Sequence, residues 1–76
     1  MPTDEEILDR MRQHCRSDLS LPEHKEEVIA SYETDAEKAH VQTRWNFVFP
    51  SLLRLCRVRL DQVNFQLVFS CPDVRP

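Results

Sequence analysis

A chain of 76 residues without a single glycine has few ways to reverse direction tightly. Roughly five glycines would be ordinary at this length. Glycine is the default residue for positive φ, because it has no Cβ to clash with the backbone. Two-residue β-hairpin turns, phosphate-cradling loops and dinucleotide fingerprints all draw on such backbone. Without glycine, the nucleotide-dependent enzyme classes built on those loops are excluded. Helices joined by short loops lose least, since their ends are closed by capping side chains.

Such caps are present. Thr3 and Glu6 form a Thr-x-x-Glu box, with Asp4 and Glu5 in the first turn, where the helix dipole favours negative charge. Ile7, Leu8, Met11 and Cys15 follow at helical spacing, which predicts a first helix over 4–17. Ser20 and Glu23 form a second box, with Pro22 in the first turn, where a missing N–H is harmless. Val28, Tyr32, Ala36, Ala39, Thr43 and Phe47 then step by three or four, so one helix can run over 22–48. Thr34 and Glu37 form a third box, which marks an optional break near Glu33. Pro50 should stop or kink the helix before it.

The remainder has two readings. As a helix starting at Pro50-Ser51, it places Leu52, Leu53, Cys56, Leu60, Val63 and Leu67 within one arc of about 100°. Leu55, Val58, Phe65 and Phe69 form an opposing stripe. As strands, Val63, Phe65, Leu67 and Phe69 alternate with other residues, and so do Val41, Thr43, Trp45, Phe47 and Phe49. Turns near Pro50-Ser51 and Asp61-Gln62 would then make a three-stranded antiparallel meander behind two helices, an α+β fold. The helix is preferred, because the strands need tight turns from residues that disfavour positive φ. The expected fold is all-α, a small three-helix bundle or helical hairpin. Its single domain covers 1–70, and 71–76, with two prolines, forms a flexible C-terminal tail.

Charge divides along the chain. Residues 1–40 carry eleven acidic and five basic side chains, a net of −6, whereas 41–76 carry two acidic and five basic, a net of +3. The five bases of the second part are Arg44, Arg54, Arg57, Arg59 and Arg75. Arginine is the weakly hydrated, forked cation favoured at interfaces. A helix apolar on two sides is more than a small bundle covers, and its spare stripe reads as an interface. Together these features point to a non-enzymatic protein–protein interaction module, a subunit of a homodimer or larger complex. Its partner is a second copy or an acidic-surfaced protein. The expected partner-binding residues are Arg44, Trp45, Arg54, Leu55, Arg57, Val58, Arg59, Phe65 and Phe69. The competing class is a nucleic-acid-binding module using Arg44, Arg54, Arg57 and Arg59 with Trp45 for stacking, although a pI near 5.5 is low for one.

Catalysis finds little footing here. His14 and Cys15 are adjacent and diverge by about 100° on a helix, and no HxxxH or CxxC pair occurs. Cys15 has cationic neighbours in Arg12 and Arg16, but it also lies on the apolar stripe of the first helix. No cofactor, metal or small-molecule substrate is expected, and no enzymatic activity. Three cysteines suit reduced, partly buried thiols rather than a secreted scaffold. The acidic start Met1-Pro2-Thr3-Asp4-Glu5-Glu6 differs from a secretory leader. Apolar runs stop at triplets, far short of the ~20 residues of a membrane span. An intracellular location, cytoplasmic or nuclear, is the resulting expectation.

Overall fold

All three Ser/Thr-x-x-Glu signatures become helix N-termini. In a computed structural model of the chain, which describes residues 1–70, α1 covers Asp4–Gln13, α2 Leu21–Ala30 and α3 Asp35–Leu55. Each cap is reciprocal. The Glu6 N–H donates to Thr3 Oγ1 at 3.2 Å, and the Thr3 N–H donates to Glu6 Oε1 at 3.1 Å. Ser20 with Glu23 and Thr34 with Glu37 repeat the pattern at 3.0–3.3 Å. These bonds satisfy N–H groups that have no partner within the helix.

There are three helices, as the helical reading gave, but their bounds differ, and none begins at Pro50-Ser51. α1 ends at Gln13 rather than 17, where the N–H groups of His14 and Cys15 turn back to the carbonyls of Met11 and Arg12. The 22–48 helix is broken at 31–34. There Ser31 bonds back, its N–H to the Glu27 carbonyl at 3.1 Å and its hydroxyl to the Val28 carbonyl at 2.6 Å. Val28 and Tyr32 are buried as the stripe predicted, but Ala36, Ala39, Thr43 and Phe47 face solvent. The buried face of α3 is Val41, Trp45, Val48 and Leu52.

Pro50 does not end α3, which continues to Leu55. Proline removes the N–H that the Asn46 carbonyl would accept. Both residues lie on the exposed side, where water can serve that carbonyl. Val48 and Leu52, on either side of Pro50, are packed in the core and hold the helix together across it.

The all-α expectation fails beyond Cys56. Residues 57–61 and 66–70 form an antiparallel hairpin, β1 (Arg57–Asp61) and β2 (Gln66–Ser70), so the fold is α+β. The alternative meander is the nearer description, with two strands instead of three, because its supposed first strand, from Val41 to Phe49, belongs to α3. The register pairs Val58 with Phe69, Arg59 with Val68 and Leu60 with Leu67. The turn is a four-residue loop, 62–65, which needs fewer special conformers than a two-residue turn. Phe65 supplies positive φ itself, at 55°. Its N–H donates to the Asp61 carbonyl at 2.7 Å, and the Asp61 carboxylate accepts from the Val63 N–H at 3.0 Å and Asn64 Nδ2 at 3.2 Å. Side-chain bonding of this kind offers a turn that dispenses with glycine.

Ser20, the α2 cap, bridges to Val68 on the outer side of β2, which anchors the hairpin to the helices. The core runs through Ile7 and Met11 of α1, Val28 and Tyr32, the buried face of α3, Cys56 and Phe69. His24 lies fully inside it, 4.7 Å from the Phe69 ring and 5.8 Å from Trp45, centroid to centroid. The span 71–76, expected to be a flexible tail, lies outside the described residues. Among the described residues, no helix is long and apolar enough to cross a membrane.

Candidate protein-binding surface

Pairing in β1 and β2 sorts side chains onto two faces, since opposed residues share a face. Val58, Phe69, Leu60 and Leu67 occupy one. The inner pair packs on the helices, with Phe69 fully buried and Val58 half-buried. The outer pair projects past the core, leaving Leu60 53% and Leu67 50% exposed. Beyond them the loop carries Val63 and Phe65, exposed by 83% and 80%.

A groove of about 450 Å³ runs beside this face, lined by Leu21, Leu53, Cys56, Arg57, Val58 and Leu67. A second hollow of about 390 Å³ shares Leu21 and Leu67 with it and is completed by Ser20, Pro22 and Gln66. The start of α2, the end of α3 and the hairpin thus enclose one continuous shallow apolar depression. The exposed side chains of Leu53, Leu60 and Leu67 lie along it or beside it.

The arginines divide by their partners. Arg44 forms a two-pronged pair with Asp4, Nε to Oδ1 at 3.0 Å and Nη2 to Oδ2 at 2.7 Å, and lies 4.7 Å from the Phe47 ring centre. The hydrogen bond from Arg44 holds the Asp4 carboxyl below its usual range, and Asp4 in turn raises Arg44. Arg10 binds the Ser31 carbonyl and hydroxyl, and Arg16 reaches Asp18 and Glu27. Arg54, Arg57 and Arg59 are exposed and form no ion pair among the described residues. The positive excess of the second part is therefore concentrated at the end of α3 and along β1.

Of the nine residues expected at a partner surface, Arg54, Leu55, Arg57, Arg59 and Phe65 are exposed, and Val58 lines the groove. Arg44 is committed to Asp4. Trp45 and Phe69 are core residues, at 4% and 0% exposure, and offer no surface in this structure. Trp45 is held there by its place on the buried face of α3, against His24 and Phe49. Leu21, Leu53, Leu60, Val63 and Leu67 were not singled out for the surface. For the strand residues the signal was the period-two alternation of Val58 with Leu60 and Leu67 with Phe69, which the helical assignment scrambled.

His24 is the buried titratable group. Its Nε2 lies 2.8 Å from the Met11 carbonyl, which can only accept, so Nε2 carries the proton and Nδ1 is left as a buried acceptor without a partner. Burial lowers its pKa from the ordinary histidine value. Among the described residues, no three histidine, cysteine or acidic side chains are arranged to hold a metal ion. No family model, curated protein or solved structure matches this chain.

Proposed function

We propose that this chain is a non-enzymatic protein-binding module that pairs with a second copy of itself through β1, inside the cell in cytoplasm or nucleus. The observation that carries this reading is an outer strand edge bordered by exposed apolar side chains. β1 pairs with β2 on one side, and no strand among the described residues covers its other side. An uncovered edge of this sort is a template for further pairing.

The strand's own residues favour a second copy. Antiparallel pairing of two β1 strands about Leu60 sets Arg59 of each opposite Asp61 of the other and stacks Leu60 on Leu60. Opposite charges and apolar pairs facing across strands each contribute about 0.2–1 kcal/mol. The Leu60 pair also continues the band of exposed Leu67 residues from one subunit to the next, and the grooves at Leu53 and Val58 flank it. Arg54 and Arg57 remain for acidic surfaces elsewhere in a larger complex.

Sedimentation across a concentration series tests the pairing. Dimers are expected, and Leu60→Glu should return them to monomers. Arg59→Asp and Asp61→Arg should each weaken association, whereas the two together should restore it. A monomer at all concentrations, or failure of the double exchange to rescue, removes the reading. Tight nucleic-acid binding that falls steeply with salt would favour the competing class instead.

A further inference from the structure

Two thiols from distant parts of the chain meet beneath the hairpin. Cys15 lies in the turn that follows α1, and Cys56 caps α3 immediately before β1. Their sulfurs are 3.6 Å apart, across 41 residues of sequence. Cys56 is buried at 9% exposure, while Cys15 is half-buried. A disulfide requires the sulfurs to close to about 2.05 Å. Cys15 lies outside the helices and strands, and Cys56, extended at φ −123° and ψ 136°, closes α3 through its N–H to the Leu52 carbonyl at 2.8 Å, so the approach falls to the turn carrying Cys15 and to rotation of the two side chains.

We propose that Cys15 and Cys56 are a modification site, a dithiol that converts to an intramolecular disulfide by exchange with a small disulfide such as oxidised glutathione. The more accessible Cys15 thiolate attacks one sulfur of the oxidant. A mixed disulfide forms and one glutathione thiolate leaves. The Cys56 thiolate then attacks the Cys15 sulfur, the Cys15–Cys56 bond forms and the second glutathione leaves. The two protons given up by the protein thiols end on the two glutathiones, and the two electrons reduce the oxidant. The product ties the end of α1 to the base of the hairpin and closes a long loop, which is the arrangement that constrains the unfolded chain most. This couple does not depend on the proposed self-pairing.

The test is incubation of the purified full chain with excess oxidised glutathione, followed by intact mass and proteolytic mapping without reduction. Loss of two hydrogens with a Cys15–Cys56 linked peptide is expected. The same link should form in Cys71→Ser and be absent in Cys56→Ser. In Cys71→Ser, oxidation should raise the melting temperature by about 10 °C or more. A link that maps to Cys71 in the wild type overturns the assignment, and so does a Cys71→Ser protein that stays reduced under excess oxidant.

Discussion

Phe65 sits where glycine is normally found, and replacing it tests the hairpin directly. At φ 55° its Cβ is forced toward the neighbouring carbonyl, a clash worth about 1–2 kcal/mol for a residue with a side chain. The ring recovers little of this in the isolated subunit, being 80% exposed. Phe65→Ala keeps the Cβ and the clash, while Phe65→Gly removes both. The two variants lose the same ring, so its packing cancels between them. Glycine gains the relief and gives back about 0.4–1 kcal/mol through the greater freedom of its unfolded chain. The glycine variant should therefore be the more stable by about 0.5–1 kcal/mol. At an ordinary position the order is the reverse, with alanine ahead by a similar margin. For a domain of this size the difference corresponds to about 3–6 °C in melting temperature. Urea unfolding of both variants at low concentration, with matched m-values, measures it alongside thermal melting. An alanine variant as stable as the glycine variant, or more so, would show that Phe65 bears no left-handed strain, and the account of the turn would fall with it.

Pro50→Ala should stabilise the protein by up to about 3 kcal/mol, because it restores the N–H missing inside α3 and removes nothing from the core; a lower urea midpoint would contradict the uninterrupted helix. Stability should fall with acid in two stages. Burial holds His24 below its ordinary value of 6.5, so the unfolded chain takes up that proton first, and stability complete above this pH declines as pH drops below it. Backbone and side-chain bonds from Thr3, Ser20 and Thr34 hold Glu6, Glu23 and Glu37 below 4.5, so their contribution is present above that value and is lost as pH falls through the lower native values. Urea midpoints from pH 8 to pH 3, with an NMR titration of the His24 ring, check both stages; a native His24 titrating at or above 6.5 would refute the first.

The starts at Thr3 and Ser20 were legible because a cap is local chemistry that needs only a glutamate three residues on. Thr34 marked only an optional break in the 22–48 helix, and the start expected at Pro50-Ser51 lies inside α3. Helix continuation was less legible because it depends on what packs alongside. The Val28–Phe47 stripe has acceptable helical spacing, yet Thr34 breaks it and α3 turns a different face inward. Of the stop or kink expected at Pro50, the stop does not occur, for the same reason. The local cost of proline is real, but the burial of Val48 and Leu52 on either side outweighs it. The arginine surface was half legible. Residue type picks out Arg54, Arg57 and Arg59, but only the fold reveals that Arg44 is spent on Asp4, 40 residues away.

The last third was misread because two periodicities fit it and the deciding interaction is distant. A helix through Leu60 and Leu67 would place Val58 and Phe69 on the stripe opposite them. A strand pair places all four on one face and lets the core select the inner two, Val58 and Phe69, by position. Burying Phe69 is worth about 1.5–3 kcal/mol, enough to offset one left-handed residue in the loop. Glycine's absence thus bears on the price of the turn without forbidding it. The same choice leaves Leu60 and Leu67 outside the core, beside an edge of β1 that no strand among the described residues covers. A helix would have satisfied its own backbone groups at that position, whereas an edge strand leaves half of them without a ladder partner. The conformation that seals Phe69 is therefore also the one on which the proposed pairing depends.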